Sequence, residues 1–349
     1  MPALFFTGYP GFLGAELLPR LLARNPLLTA RCLVQPKFAA LARERASSLG
    51  GRVQIVEGDI TRPIDARRDD VAEVWHLAAI YDLAVKRDVA TRVNVDGTRH
   101  VLDFAASCPK LARFQYVSTC YVSGPYDGVF LESDLEKGQS FNNDYEATKY
   151  LAEVLVQERM ATGMAATIYR PAIVVGDSST GETQKFDGPY FVIRWLLRQP
   201  RVALLPVIGD PRRFRANFVP RDFIVRAIEH LSALDESKGK VYQLADPEPM
   251  TVDEIIRAIA TATNRRIVRL PLTKGIAKFA LERVPGVHRL MRIPSASVDY
   301  FVHPTTYDTA NTLADLRGSG IEVPRLRDYL PRLVEFMRAH PEIGSAAMA

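Results

Sequence analysis

Residues 4–14 read Leu4-Phe5-Phe6-Thr7-Gly8-Tyr9-Pro10-Gly11-Phe12-Leu13-Gly14, an apolar run that breaks into three glycines and leads straight into a segment with apolar residues at helical spacing. That order predicts a buried strand, a tight turn and a helix start. Gly8 permits the tight turn, Gly11 lets backbone approach a pyrophosphate without a Cβ in the way, and Gly14 permits close packing of helix on sheet. The helix N-terminus turns unpaired N–H groups and the positive end of its dipole toward a diphosphate. The loop Gly8, Tyr9, Pro10, Gly11, Phe12, Leu13 and Gly14 is therefore the expected seat of a dinucleotide.

Working outward, short β-branched or aromatic runs alternate with longer helical patterns through the first half of the chain, the mark of βαβ units on a parallel sheet. The expected strands are Leu4 to Thr7, Arg31 to Val34, Val53 to Glu57, Val74 to Ala78, Arg113 to Val117 and Ala166 to Tyr169. Between them, Phe12 to Arg24, Pro36 to Ser48, Val89 to Ser107 and Asp144 to Ala161 read as helices. The fold class is thus α/β, a doubly wound parallel sheet of Rossmann type with a smaller C-terminal substrate lobe. Residues 1–171 are expected to form the dinucleotide-binding core, with about 216–246 a candidate to return to it. Residues 172–349, where prolines cluster and strands shorten, are expected to supply mainly the substrate lobe and closing helices, among them Tyr190 to Leu197, Arg221 to Leu234 and Arg325 to His340. Thr251 and Glu254 have the spacing of a capping box.

Composition narrows the class. The chain has 349 residues, 47% hydrophobic and 24% charged, which fits globular usage and leaves no room for a mainly disordered protein. The net charge of +5 is modest for that length and carries no nucleic-acid signature, so no nucleic-acid partner is expected. No signal peptide precedes the first strand and no stretch has bilayer-spanning length. Cys32, Cys108 and Cys120 are odd in number and lack metal-ligand spacing, which suits a reducing compartment; the expected location is cytoplasmic. The six histidines are scattered with no His-x-x-x-His pair, so no metal is assigned. A monomer or homodimer is expected.

The second strand ends in Val34-Gln35-Pro36-Lys37. No carboxylate stands there to repel a ribose 2'-phosphate and Lys37 can neutralise one, so NADP(H) is the favoured cofactor and NAD(H) the second choice. The bland reading of Lys37 is a solvated lysine at a helix start. Asp59 and Ile60, after the third strand, are placed against the adenine, and Leu77, Ala78 and Ala79 offer small side chains that can lie along the cofactor.

Tyr145 and Lys149 lie one helical turn apart in Y-E-A-T-K and so project from one face. A lysine cation there would lower the phenol pKa and hold the nicotinamide ribose, making the phenol a usable acid. The fifth strand ends in Val117-Ser118-Thr119, which puts a hydroxyl at the carboxyl edge of the sheet, where open α/β sheets bind ligands. Either Ser118 or Thr119 can donate a hydrogen bond to a substrate oxygen that gains negative charge; strand-end capping is the structural alternative.

The motifs T-G-Y-P-G-F-L-G, G-D-I, L-A-A, V-N-V-D-G-T, V-S-T-C-Y-V, Y-E-A-T-K, R-P-A-I-V-V-G-D and F-V-P-R-D-F, in this order over residues 3 to 225, resemble the extended short-chain dehydrogenases/reductases. The resemblance implies that Thr119, Tyr145 and Lys149 match the family's catalytic set. It also implies that Asn94 matches the asparagine that steadies the active-site helix and its proton relay, and that Pro171, Ile173 and Val174 brace the nicotinamide. Within the family, R-P-A-I-V-V-G-D-S-S-T-G-E and S-F-N-N-D-Y-E-A-T-K are similar to the branch of thioester reductase domains and fatty acyl-CoA reductases. Gln35 departs from the arginine frequent in NADP-dependent relatives.

The expected activity is an NADP(H)-dependent reduction of a carbonyl in an apolar small molecule, whether acyl thioester, aldehyde or ketone, with carrier- or CoA-linked substrates included. The alternatives are a hydroxysteroid-type dehydrogenase, a nucleotide-sugar epimerase or dehydratase, and a non-catalytic dinucleotide sensor. Tyr190, Phe191, Ile193, Trp195 and Leu196 form an expected apolar wall, and Tyr81, Tyr121, Phe191 and Trp195 are the expected substrate contacts. Arg212, Arg213, Arg215 and Arg221 could meet a phosphate of coenzyme A or a carrier arm, the alternative being a solvated loop. The stretch Lys274 to Arg292, with Ile276, Phe279, Ala280, Leu281 and Leu290, could cover the substrate or simply pack on the lobe; membrane contact is not expected.

Overall fold

The computed structural model describes residues 2–81, 85–283 and 295–344. β1 (Ala3–Thr7) is buried at every position, as a central strand covered on both faces must be. It is followed by α1 (Gly14–Arg24), β2 (Thr29–Val34), α2 (Pro36–Ser47), β3 (Val53–Glu57) and β4 (Val71–His76). The short α3 (Arg87–Ala90) runs through a π-helical turn, Thr91–Asp96, into α4 (Gly97–Ala106). Then come β5 (Arg113–Val117), β6 (Gly128–Phe130), α5 (Asp144–Ala161), β7 (Ala166–Pro171) and β8 (Ile173–Val175). The remainder holds α6 (Pro189–Leu197), β9 (Val202–Ile208), β10 (Phe218–Pro220), α7 (Arg221–Ala233), β11 (Val241–Leu244), α8 (Val252–Thr263), β12 (Arg266–Leu272), α9 (Lys274–Arg283), β13 (Thr305–Tyr307), α10 (Ala310–Leu316) and α11 (Leu326–Ala339).

Seven strands form one sheet in the order β11-β7-β5-β4-β1-β2-β3, every pair parallel. The winding reverses between β1 and β4, and the loop Gly8–Gly14 leaves β1 at that switch point, where an open α/β sheet forms its crevice. α1 and α7 cover one face, with Leu17, Leu18, Leu21 and Leu22 packed near Phe223, Ile224 and Ile228. α4 and α5 cover the other, through Val101, Leu102, Ala152 and Val156. Burying one such leucine contributes about 1.5–3 kcal/mol. A separate core joins α6, α8, β9 and α11 through Ile193, Leu196, Ile255, Ile256, Leu205 and Leu333.

Two expected elements differ. β4 runs from Val71 and stops at His76, so Leu77, Ala78 and Ala79 lie in the loop beyond it rather than in the strand. The helix expected over Val89 to Ser107 is split by the π-helical turn, whose extra residue per turn swings Asn94 inward. Thr251 and Glu254 form the reciprocal cap of α8, with side chain and backbone bonds in both directions. Among the described residues no helix is long and apolar enough to cross a membrane.

Candidate active site

The glycine loop is tight for steric reasons that the structure makes explicit. Gly8 has φ +93°, and a Cβ there would stand 2.8 Å from the Leu77 backbone. A Cβ at Gly14 would lie 2.5 Å from the Gly8 carbonyl oxygen, and one at Gly11 2.9 Å from the same atom. No side chain fits at any of the three, and the Gly11 N–H closes the turn on the Gly8 carbonyl at 2.9 Å.

The loop opens into a cavity of about 780 Å³. Gly8 to Gly14, Gln35, Asp59, Ile60, Leu77, Ala78, Ala79, Ser118, Thr119, Tyr145, Lys149, Pro171, Ile173 and Val174 all border it, as do Tyr81, Tyr121 and Phe191. Lys37 and Asn94 lie outside that border, and so does Trp195. Lys37 is exposed, its ammonium 4.9 Å from the Phe38 ring. The Gln35 amide donates to Asp59 at 2.9 Å, and Asp59 also accepts from the Thr61 N–H at 2.9 Å, so this carboxylate is held by its own neighbours. Arg45, which sequence reading passed over, donates to the Pro10 carbonyl at 3.0 Å and adds a cation at the loop's outer rim.

Asn143 caps α5 by accepting from the Glu146 N–H at 3.0 Å, and this fixes the first turn that carries Tyr145. The Thr119 hydroxyl, just past the end of β5, stands beside the Tyr145 phenol while it donates to the Pro171 carbonyl at 3.4 Å and accepts from the Tyr121 N–H at 3.3 Å. Burial raises that phenol well above its ordinary value, and Thr119 offsets part of the rise. Tyr145 therefore holds its proton. The Lys149 ammonium donates to Tyr116 Oη and to the Val117 carbonyl, each at 2.9 Å. Burial brings Lys149 down to about 7, with Glu153 opposing the change. The expected lowering of the phenol by Lys149 is not seen: burial sets its direction, and Thr119 is the group that opposes it.

Of the two candidate hydroxyls at the strand end, that of Ser118 donates to Glu153, which is ion-paired to Arg170 with both side chains fully buried. Only Thr119 is turned to Tyr145. Asn94 ties the loop after β4 to α5: its Oδ1 accepts from the Ile80 N–H at 2.9 Å, and its Nδ2 donates to Thr148 Oγ1 at 3.1 Å, one residue before Lys149.

The substrate side differs most from expectation. Trp195 turns to the lobe surface, donating to the Leu204 carbonyl at 2.7 Å. Tyr190, Ile193 and Leu196 face the lobe core, with Tyr190 Oη accepting from the Gly176 N–H at 3.0 Å. At 3.6 residues per turn, the face they share leaves Phe191 and Val192 to border the cavity. The opposite wall comes from α8, whose Val252, Ile255, Ile256 and Ile259 line it together with Phe218 and Phe301. Their i, i+3, i+4, i+7 spacing was the available signal, but a core-facing stripe reads the same way. Tyr81 meets Tyr145 edge-on at 5.0 Å, and the Lys185 ammonium lies 3.7 Å from the Tyr81 ring centre. Tyr121 packs edge-on against Tyr300 at 4.8 Å.

Arg212, Arg213 and Arg215 are exposed and do not border the cavity; Arg215 donates to the Pro249 carbonyl. Arg221 leaves that group, since it is buried against the Phe12 ring at 5.3 Å with Glu16 and Glu182 each 3.7 Å away. Ile276 and Phe279 on α9 are exposed rather than folded over the cavity. Of the stretch Lys274 to Arg292, residues 284–292, including Leu290, lie outside the described residues, as do the side chains of Ala280 and Leu281. Among the described residues no three His, Cys, Asp or Glu side chains are placed to hold a metal ion.

Comparison with known proteins adds to this geometry. A family model described as Male sterility protein, an NAD-binding domain, matches residues 6–228. The chain is 24% identical to a nonribosomal peptide synthetase, FrzA, of Cladobotryum sp, over 96% of this chain and 36% of that protein. It is 24% identical to aldehyde reductase lnbA of Aspergillus flavus, over 79% of this chain and 30% of that protein. The chain spans about a third of the length of these curated relatives. Among solved structures, the terminal R domain from the myxalamid PKS-NRPS biosynthetic pathway superposes with a TM-score of 0.83 at 24% identity, over 98% of this chain and 92% of that one.

Proposed function

Because this chain belongs to the Male sterility protein family, NAD(P)-binding oxidoreductases of the extended short-chain dehydrogenase/reductase fold, we propose that it reduces the carbonyl of an apolar acyl thioester or aldehyde with NADPH. The observation that carries the reading is one cavity shared by the glycine loop, by Thr119, Tyr145 and Lys149, and by an apolar arm between α6 and α8. The three glycines let the loop fold tightly against Leu77 and its own Gly8 carbonyl, which turns the loop and the start of α1 toward the cavity as a diphosphate seat would require. Lys37 at the start of α2 and Arg45 beside the loop supply the cations that a 2'-phosphate would need, in place of the arginine for which Gln35 stands. In the proposed division of labour, residues 1–171 and about 216–246 hold the cofactor, and the rest of 172–349 shapes the substrate side.

Pro171, Ile173 and Val174 would hold a reduced nicotinamide, which would supply the hydride. The substrate carbonyl lies between Thr119 and Tyr145, where two hydroxyl groups converge. Thr119 orients the oxygen, and Tyr145, protonated in its buried setting, delivers a proton as negative charge develops. Lys149 holds the ribose and balances the phenolate that remains. On a thioester, the tetrahedral adduct collapses to an aldehyde and a thiol; on an aldehyde, the same groups yield the alcohol. The apolar arm suits an acyl chain, since such pockets bury most of a ligand and use few polar contacts.

The test is NADPH oxidation with medium and long acyl thioesters, apolar aldehydes and nucleotide sugars. Turnover is expected with the first two, and activity confined to nucleotide sugars discards the proposal.

A further inference from the structure

Tyr116 occupies the centre of the sheet, on β5, and is 1% exposed. A phenylalanine would fill that core position, so the hydroxyl calls for its own account. It has one in Lys149, whose ammonium donates to Tyr116 Oη at 2.9 Å and sits 4.5 Å from the same ring's centre. The second N–H of Lys149 goes to the Val117 carbonyl at 2.9 Å. An ammonium has three hydrogens, so one is left for the cavity that Lys149 borders.

Tyr116 is itself held from behind. Thr98 stands beside its hydroxyl and offsets part of the rise that burial gives this phenol. Thr98 Oγ1 donates its own hydrogen to the Asn94 carbonyl at 2.6 Å, so it accepts from its other partners. His76 Nε2, 2.9 Å from Thr98 Oγ1, therefore carries the ring hydrogen, and His76 Nδ1 accepts from Thr7 Oγ1 at 2.8 Å. Burial and the nearby Lys149 keep His76 neutral, with its pKa down to about 3. The result is a buried polar row, Thr7, His76, Thr98, Tyr116 and Lys149, drawn from β1, β4, α4, β5 and α5.

We propose that Tyr116 is a positioning residue for Lys149: its oxygen, backed by the Thr98, His76 and Thr7 row that reaches the strand bearing the glycine loop, aims the third N–H of the ammonium at the cofactor ribose. Phosphate cradle and lysine are thereby held in one register. The proposal rests on the assignment of Tyr145 and Lys149 made above.

The experiment is Tyr116→Phe in the full chain, with NADPH and an acyl thioester, reading KM for NADPH and the pH dependence of kcat. The titratable groups facing Lys149 are Tyr145 and Glu153 on its own helix, Tyr116 on β5 and His76 on β4. The Tyr116 oxygen holds the charged ammonium more strongly than it would the neutral amine, so its removal lowers the lysine pKa and the protonated fraction disappears at lower pH. The alkaline limb of kcat, which reports coupled proton loss from Lys149 and Tyr145, is expected to move acidward by about one unit. KM for NADPH is expected to rise roughly tenfold, the loss of about one hydrogen-bonded alignment. Thr98→Val breaks the row one step back and serves as the second variant, with a smaller shift in the same direction. A lower Tm with both limb and KM unmoved in either variant overturns the proposal and leaves Tyr116 a core residue. Lys149→Ala and Tyr145→Phe separate the two readings. If they retain turnover, the catalytic assignment fails; if they lose it while Tyr116→Phe leaves the limb in place, only the role of Tyr116 fails.

Discussion

Ile259 sets the depth of the apolar arm, and replacing it should change which acyl chains the protein prefers. α6 begins beside the proposed nicotinamide side, where a Cβ at Gly188 would stand 3.4 Å from Ile173, and Val252 at the start of α8 borders the same cavity. Their far ends are closed by Arg265, which donates to the Leu196 carbonyl at 3.2 Å and the Gln199 carbonyl at 3.0 Å. The α8 stripe runs from Val252 to Ile259, about 10 Å at 1.5 Å per residue, with Ile259 the last lining residue along the helix. An extended chain advances about 1.2 Å per bond, since three backbone bonds cover roughly 3.3–3.6 Å, so the arm holds about eight or nine bonds of acyl chain. Each methylene buried there contributes about 0.8 kcal/mol, or about fourfold in kcat/KM. Measured over a series of acyl thioesters with NADPH, kcat/KM should climb about fourfold per methylene and level off near ten carbons. Ile259→Ala removes three carbons and should carry the break about two methylenes further, at a stability cost of roughly 2–5 kcal/mol. Ile259→Phe should draw it back. A break that stays in place in both variants, or no dependence on chain length at all, refutes the reasoning.

Tyr145→Phe should leave NADPH affinity intact in a fluorescence titration while kcat falls by about 10²–10⁴-fold, because only the phenolic proton is removed; retained turnover would sink the proposed acid. The protein should bind NADPH about tenfold more tightly than NADH, a gap that Lys37→Glu should close or reverse. A clear NADH preference in the unaltered chain contradicts the cofactor reading. Joint replacement of Arg212, Arg213 and Arg215 by alanine should raise KM about tenfold for coenzyme A or carrier-linked substrates and spare free aldehydes; equal losses on both reject that docking role. Lys149 also has a stability consequence. It is protonated up to its ordinary 10.5 when unfolded but only to about 7 when folded, so the unfolded state binds more protons between those values. Stability relative to Lys149→Met should therefore rise with pH through that window, as denaturant unfolding at several pH values would show; a fall or no slope refutes the buried setting.

Local rules made much of this molecule legible. The glycine loop could be read because each glycine answers a contact within a few residues of chain or at the neighbouring strand, as the Gly8 carbonyl beneath Gly11 and Gly14 illustrates. Tyr145 and Lys149 could be paired because four residues make one turn of helix. What escaped was the identity of whatever lies opposite. The stripe Val252, Ile255, Ile256 and Ile259 has the same period whether it meets a core or a cavity, and only the placement of α8 across from α6 decides. Trp195 sits on a helix whose apolar residues point three ways, and a backbone carbonyl on β9 takes its indole N–H.

The strand end at Ser118 and Thr119 shows how topology resolves what a motif leaves open. The two adjacent hydroxyls take different partners on α5, Ser118 meeting Glu153 and Thr119 standing beside Tyr145. Sequence alone does not say which takes which, because both choices put an oxygen at the edge of the sheet. The choice is made from behind, by an ion pair whose halves come from elsewhere in the chain: Glu153, two turns along α5 from Tyr145, and Arg170, in the last turn of the parallel ladder on β7. Two charges buried at 0% exposure must have their remaining hydrogen-bonding capacity met, and the Ser118 hydroxyl meets it on Glu153 while the Glu132 and Asp134 carbonyls meet it on Arg170. Ser118 is thereby committed to the interior. The same helix that carries Tyr145 and Lys149 to the cavity thus also carries, on its inner side, the carboxylate that leaves Thr119 as the hydroxyl facing the phenol.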